Sequence, residues 1–313
     1  MPASKHFNIP KRNLMENKSL IEQIEQKYEN LGENPETYLK GLFHSKPLCY
    51  WDYIEVETLH SLQKPRTTFK DEEIFIMYHQ VTELFFKMMV HELKQLVRED
   101  LPEKTVLNKM NRPMKYTAVL INSFEVLKYG MDYDDYNLFR ASLTPASGFQ
   151  SAQFRIIELY CTRIQNLLTD KTNPHIGEPM KDLFEQLYWK QAGLKRGTHQ
   201  KSQTLLLFEE KYQEDLIALA EKMQGVTLEE KLLRFSNPSD ELIQAFRQFD
   251  FLYNFKWPNV HLETAEHYLN SKGENQAATG GSEWKKYLNP RTQQRKFFPS
   301  LWQDQEIENW EKK

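Results

Sequence analysis

Residues 71–99, DEEIFIMYHQVTELFFKMMVHELKQLVRE, decide the fold. The stretch is rich in strong helix formers, and its apolar residues fall on almost every face of a 3.6-residue period. That pattern predicts a long buried helix from about Asp71 to Glu99. Phe75, His79, Thr82 and Phe86 share one stripe of it, which sets a histidine between two phenylalanines. The plain reading of His79 is a core histidine with one hydrogen bond; the sharper one is a histidine facing an aromatic ligand. His79 and Glu83 are four apart, but the His-Glu-x-x-His pattern of a helical zinc site is absent.

Working outward, residues 14–45 read as one or two polar helices with a break near Gly32 and Pro35. Lys46 to Tyr53 is aromatic and extended in character, and a second break falls at Gln63-Lys64-Pro65. On the other side, a helix over 105–130 ends at Gly130, an acidic turn at Asp132–Asp135 opens another, and Ser147-Gly148 interrupts before a helix from about Ser151 to Leu168. Mixed helix and loop over 170–202 precedes long helices at about 203–223 and 238–270. Residues 271–283, small, polar and glycine-bearing, read as a loop. No run of alternating strands and no internal repeat appears, so the expected fold class is all-α. The expected organisation is a polar helical segment over 1–49 and one domain over 50–313, with a possible small helical subdomain at about 170–235.

Composition excludes several classes. The 313 residues carry 40% hydrophobic and 27% charged side chains, as ordinary globular proteins do. A net charge of −3 supplies no basic surface for nucleic acid or an anionic membrane. No stretch approaches the apolar length of a membrane span. The N-terminal residues lack the apolar core of a secretion signal. Two cysteines, Cys49 and Cys161, are too few for a disulfide framework, so a cytoplasmic protein is expected. The aromatic share, 13%, suits a flat aromatic ligand or simply a large core.

Two further segments could carry chemistry. In residues 136–153, YNLFRASLTPASGFQSAQ, Tyr136 and Arg140 share a helix face. An arginine amid Leu138, Phe139 and Leu143 needs a partner: an internal carboxylate, or the carboxylate of a ligand held by the guanidinium fork. Pro145-Ala-Ser-Gly148 is a tight turn whose backbone can approach a bound molecule. His261 follows Phe249, Phe251, Tyr253, Phe255 and Trp257, a setting in which a neutral imidazole packs in a core or ligates haem iron. Thr279-Gly280-Gly281-Ser282 offers hydroxyls and open amides, in itself a weak anion signal.

Together these segments resemble the tryptophan 2,3-dioxygenase family. Phe75-Ile76-Met77-Tyr78-His79 through Lys87 resembles its distal helix, and Phe139-Arg140 through Pro145-Ala-Ser-Gly-Phe-Gln-Ser-Ala-Gln-Phe-Arg155 its longest motif. Trp257-x-x-x-His261 resembles its haem-ligand segment, Thr279 to Ser282 its substrate loop, and Tyr50-Trp-Asp-Tyr53-Ile54 its N-terminal tyrosine motif. The likeness runs from about Tyr50 to Leu288 and is weakest over 170–235.

The resemblance implies an all-α haem b (iron protoporphyrin IX) enzyme that inserts O2 across the indole 2,3 bond of L-tryptophan to give N-formyl-L-kynurenine. It implies that His261 is the axial iron ligand, with Ser147 and Trp257 beside the haem. It implies that Phe75, Ile76, Met77, Tyr78 and His79 form the substrate wall, with His79 bonding the indole N–H. Arg140 and Tyr136 would hold the substrate carboxylate, and Thr279 the amino-acid head group. A homotetramer is implied, in which Tyr50, Tyr53 and Ile54 wall a neighbour's pocket. The sequence departs from the family at Pro258, where arginine is usual, and around Thr279, where Ala278, Glu283 and Trp284 replace glycines and serines. Proline predicts a kink just before His261. Two other readings stay open: a relative oxygenating a modified indole or another aromatic amino acid, and a non-enzymatic haem- or tryptophan-binding protein.

Overall fold

A computed structural model of the chain describes residues 19–98, 100–170, 177–195, 198–269, 285, 288–290, 295–303 and 306. It divides into two compact units, Met1–Leu62 and Gln63–Lys313. In the first, α1 (Leu20–Glu29) starts from a reciprocal capping box between Ser19 and Glu22. Gly32, at φ 74°, then turns the chain as few other residues can. The next helix, α2 (Pro35–His44), begins with Asn34 as cap and proline in its first turn. Tyr28 stacks on Tyr38 at 3.9 Å between ring centroids. Residues 50–54, expected to be extended, instead form α3 (Tyr50–Ile54), followed through left-handed Glu55 by α4 (Val56–His60). None of these four helices buries a residue. The unit boundary thus falls after Leu62, where the sequence suggested residue 49.

The second unit is built round α5 (Asp71–Arg98), whose interior face packs on α6 (Glu103–Tyr129) and α8 (Ala152–Cys161). Phe86, Met89, Leu93, Leu96, Met110, Phe246 and Phe249 form the heart of its core. Each such side chain, fully buried, stabilises the fold by roughly 1.5–3 kcal/mol. The apolar pattern of α5 suggested burial all round, yet Met77, Val81, Leu84 and Met88 are exposed along one stripe. Glu72, buried at the start of α5, accepts hydrogen bonds from the backbone amides of Arg66 and Thr67 and from the Thr67 hydroxyl. It thereby fixes the chain where the Gln63-Lys64-Pro65 break enters the helix.

A satellite core surrounds α9 (Met180–Glu185), α10 (Tyr188–Ala192) and α11 (Gln203–Met223), centred on Leu183, Phe184, Leu205 and Phe208. This is the region the sequence set apart at 170–235. It shares Ile156 and Leu219 with the main core, so it is a second core within one unit. Among the described residues no strand occurs beyond two isolated bridges, and no helix is long and apolar enough to cross a membrane.

The helices α13 (Asp240–Phe251) and α14 (Trp257–Leu269) are joined by a π-helical turn over Leu252–Lys256, after the short α12 (Leu228–Leu232). The Trp257 amide bonds the carbonyl of Leu252, five residues back. The kink expected from Pro258 takes this form: the ladder has already widened where the proline lacks a donor. Behind the turn, buried Asp250 accepts from the amides of Phe297 and Phe298, from Asn254 and from the Trp302 indole. That carboxylate ties the C-terminal segment to α13. Burial pushes its pKa up, and the four donors oppose the rise.

Candidate functional site

A cavity of about 270 Å³ lies between α5, α14 and the segment 136–149. Phe75 and His79 enter from α5, their rings 4.1 Å apart. Tyr136 lies on α7 (Tyr133–Phe139) and Arg140 caps that helix. Asp132 holds the start of α7 by accepting from the amides of Asp134 and Asp135, so the acidic turn seen in the sequence is its N-cap. Ser147 and Gly148 follow, and α14 supplies Trp257, His261 and Tyr268. Among the described lining residues there are three arginines, Arg140, Arg155 and Arg295, and no carboxylate.

The two histidines differ in how they are held. His79 Nδ1 lies 2.7 Å from the Phe75 carbonyl oxygen. A carbonyl only accepts, so the ring proton is assigned to Nδ1 and Nε2 keeps its lone pair. Burial lowers the His79 pKa, opposed by that carbonyl and by Glu83. His261 Nδ1 is buried without a hydrogen-bond partner among the described residues. Burial, with the nearby His79 adding to it, pushes the His261 pKa down to about 4. Both rings are therefore neutral at pH 7. His261 packs against Phe124 at 5.4 Å and Trp257 at 5.6 Å.

The direction of His261 comes from the π turn. Phe249, Tyr253, Trp257 and His261 step by four residues each, with successive ring centroids 5.8, 6.3 and 5.6 Å apart. In an uninterrupted α-helix, twelve residues would rotate the last side chain about 120° off the first. One extra residue absorbed in the turn removes about 100° of that, which keeps the ring ladder nearly straight.

The Tyr136 ring packs at a tilt against Tyr268 at 4.3 Å and Phe75 at 5.9 Å. Burial raises the Tyr136 pKa, while the charge and hydrogen bond of Arg140 pull it back. Phenol and guanidinium thus act as one unit on the rim. Ser147 caps the short turn that follows by accepting from the Phe149 amide. A Cβ at Gly148 would meet no heavy atom within 4 Å, so the backbone there fronts open space.

Of the residues singled out in the sequence, Phe75, His79, Tyr136, Arg140, Ser147, Trp257 and His261 line this one cavity. Ile76, Met77 and Tyr78 do not: Met77 is exposed, and the Tyr78 hydroxyl pairs with Ser123 at 3.2 Å beside Phe124. Tyr50, Tyr53 and Ile54 belong to the N-terminal unit. Thr279 and the loop expected over 271–283 lie outside the described residues. Sequence reasoning missed Tyr188, Trp189, Tyr268 and Arg295 as lining residues, and gave Arg155 no role. For Arg155 a signal existed, since it sits among Phe154, Ile156 and Ile157 just as Arg140 sits among apolar neighbours.

The site fits an axially ligated macrocycle. Among the described residues the buried Nδ1 of His261 has no partner, the ring is neutral and able to ligate, and the Gly148 backbone leaves room for a flat group. Fold and site together define an all-α protein in which two neutral imidazoles face one aromatic-lined cavity.

Residues 40–215 match the tryptophan 2,3-dioxygenase family, a span that includes His79, Tyr136 and Arg140. The chain is 32% identical over 156 residues to the tryptophan 2,3-dioxygenase of Rattus norvegicus, covering 46% of this chain and 38% of that protein. It is 39% identical over 118 residues to that of Anaeromyxobacter sp. (strain K), covering 37% and 44%. With the Bacillus thuringiensis subsp. konkukian protein it shares 28% over 290 residues, 86% of this chain and 97% of that one. The matched stretches thus span less than half of the first two relatives and nearly all of the third. The chain belongs to the tryptophan 2,3-dioxygenase family.

Proposed function

We propose that this chain is a haem b-dependent dioxygenase that converts L-tryptophan and O2 to N-formyl-L-kynurenine, opening the indole ring at its 2,3 bond. The observation that carries the reading is the pairing of His79 and His261 across one aromatic cavity with the Tyr136–Arg140 unit on its rim. His261 would hold the iron, and Ser147 and Trp257 would border the porphyrin. The haem, when bound, supplies the activation of O2.

The chain's own residues would position the other reactant. Phe75 offers a ring face for the indole. His79, with its proton fixed on Nδ1 by the Phe75 carbonyl, presents Nε2 as an acceptor for the indole N–H. Arg140 meets the substrate carboxylate with a two-pronged fork that Tyr136 steadies. Holding the indole at one angle converts an encounter into an oriented reaction, the largest help a protein can give a cofactor that does the electronic work. Thr279 would take the amino-acid head group.

A homotetramer in the cytoplasm is part of this reading. The exposed apolar stripe Met77, Val81, Leu84 and Met88 on α5 is a face suited to a second copy. Tyr50, Tyr53 and Ile54, exposed in their unit, would wall a neighbour's pocket. The decisive experiment is reduction of the haem-loaded chain without air, then addition of O2 and L-tryptophan, with N-formylkynurenine followed by absorbance. Absence of product, with turnover of another indole, favours a relative acting on a different substrate.

A further inference from the structure

Behind the aromatic wall of the cavity lies a buried ion cluster that the proposed reaction does not use. Glu158, 1% exposed, accepts at one oxygen from Arg155 Nη1 at 3.1 Å and at the other from Arg295 Nη1 at 2.7 Å. The Tyr188 hydroxyl accepts from the same two nitrogens and donates to Glu158. Burial, the largest influence, takes the Tyr188 pKa up to about 12, so the phenol is neutral. Two guanidinium charges thus share one carboxylate.

Among the described residues each arginine reaches its partners through Nη1, and the Nε of both is buried with no hydrogen-bond partner there. Aromatic faces soothe the excess charge: Arg155 lies 5.0 Å from the Phe154 and Trp189 rings, and Arg295 4.8 Å from Tyr188. They do not neutralise it. A buried cation without a counter-charge is costly, and a guanidinium with donors left over is suited to a carboxylate.

We propose that Arg155 and Arg295, held in register by Glu158 and Tyr188, form a carboxylate subsite of the cavity that takes a propionate of the porphyrin. The inference rests on the haem reading above. Both arginines and Tyr188 line the same cavity as His261. In that reading Arg140 is committed to the substrate's carboxylate. The porphyrin brings two further carboxylates into the same space, and the only other permanent cations in the described lining are this pair. The cluster joins α8, α10 and the segment before Phe297, so a propionate docked there would also brace the ring against all three.

The test compares protohaem IX with its dimethyl ester, which keeps the iron, the vinyl groups and the ring but not the carboxylate charges. Each is titrated into the full apo chain, with Soret change and stoichiometry as readout. The native chain is expected to bind protohaem about tenfold or more tightly than the ester. In Arg295→Gln and Arg155→Gln that preference should fall towards unity, through weaker protohaem binding and not through better ester binding. Arg295→Lys, which keeps the charge, should retain most of the preference, and it covers the case in which a glutamine variant fails to fold. Equal affinity of the native chain for both porphyrins overturns the subsite alone. So does a preference that survives in folded glutamine variants, which would make the cluster a structural ion pair. Failure of either porphyrin to bind at one per chain overturns the subsite and the haem reading together.

Discussion

His79 and His261 face the same cavity from two helices that are built differently. The helix of His79 is regular from end to end, and its Nδ1 is tied to the Phe75 carbonyl one turn back. The helix of His261 is interrupted by a π turn and a proline, and its Nδ1 has no partner among the described residues. The first ring is held by its own backbone and can act only through Nε2. The second owes its direction to the ladder Phe249–Tyr253–Trp257. Two half-buried histidines are thus held differently, and in the proposed reading they would serve opposite ends: one as a fixed acceptor, one as a ligand.

Exchanging the roles is the strongest way to break that contrast. His261→Ala should lower haem affinity by about a hundredfold, while His79→Ala leaves it within a few-fold; Soret titration of the two variants decides. A larger loss for His79→Ala would reverse the assignment. The next effect in size belongs to the rim. Arg140→Ala should lower kcat/KM for L-tryptophan by about a hundredfold or more, since two charge-assisted hydrogen bonds of roughly 1.5–3 kcal/mol each are lost. Tryptamine, without a carboxylate, should be a poor substrate and lose little more in the variant. Equal loss on both compounds would assign Arg140 to the scaffold.

A smaller effect sharpens the role of His79. One hydrogen bond of about 0.5–1.5 kcal/mol predicts that His79→Ala slows turnover of L-tryptophan by roughly three- to tenfold and affects 1-methyltryptophan less. Abolished turnover with haem intact would mean obligatory base chemistry. The smallest effect concerns the helix that carries His79. Burial raises the Glu72 pKa, but the Thr67 hydroxyl and the Arg66 and Thr67 amides outweigh it, leaving a net lowering. The folded carboxyl therefore titrates below the unfolded one. Its stabilisation is complete above the ordinary carboxylate range and drains away as pH falls through the folded value. Glu72→Gln should cost about 1–2 kcal/mol at pH 7, or a few degrees in Tm, and less at pH 3. A pH-independent difference would show that the carboxylate charge is not what holds the turn.

Much of this architecture was legible because its signals are local. The long helices, the cap at Asp132 and the break at Gly32 follow from propensity, capping and backbone freedom, and they appear where expected. The residues that meet in the cavity were nameable from motif spacing, but Met77 and Tyr78 show what spacing cannot do. A motif names neighbours in sequence, whereas the helix turns one to solvent and the other to Ser123. The segment at Tyr50 read as extended because aromatic residues favour strands, yet no partner strand exists among the described residues and local hydrogen bonds close a helix there instead. Asp250 and Arg295 escaped notice because their meaning is mainly tertiary: apart from Asn254 beside Asp250, their partners lie more than forty residues away.

The π turn before Trp257 makes the site sensitive to counting as well as to chemistry. A substitution inside Leu252–Lys256 leaves the number of residues between Phe249 and His261 unchanged, and it costs most at the buried Tyr253 and Asn254. Deleting a single residue there would remove the turn and leave the downstream register as it is, whereas relaxing the turn into an ordinary α-helix with its residue count unchanged would rotate every side chain downstream by about 100°. Helix content and core composition would barely change, yet the imidazole would leave the cavity. The direction of the His261 ring is thus stored partly as one surplus residue in a helix, in the length of a segment as well as in the side chains that it aligns.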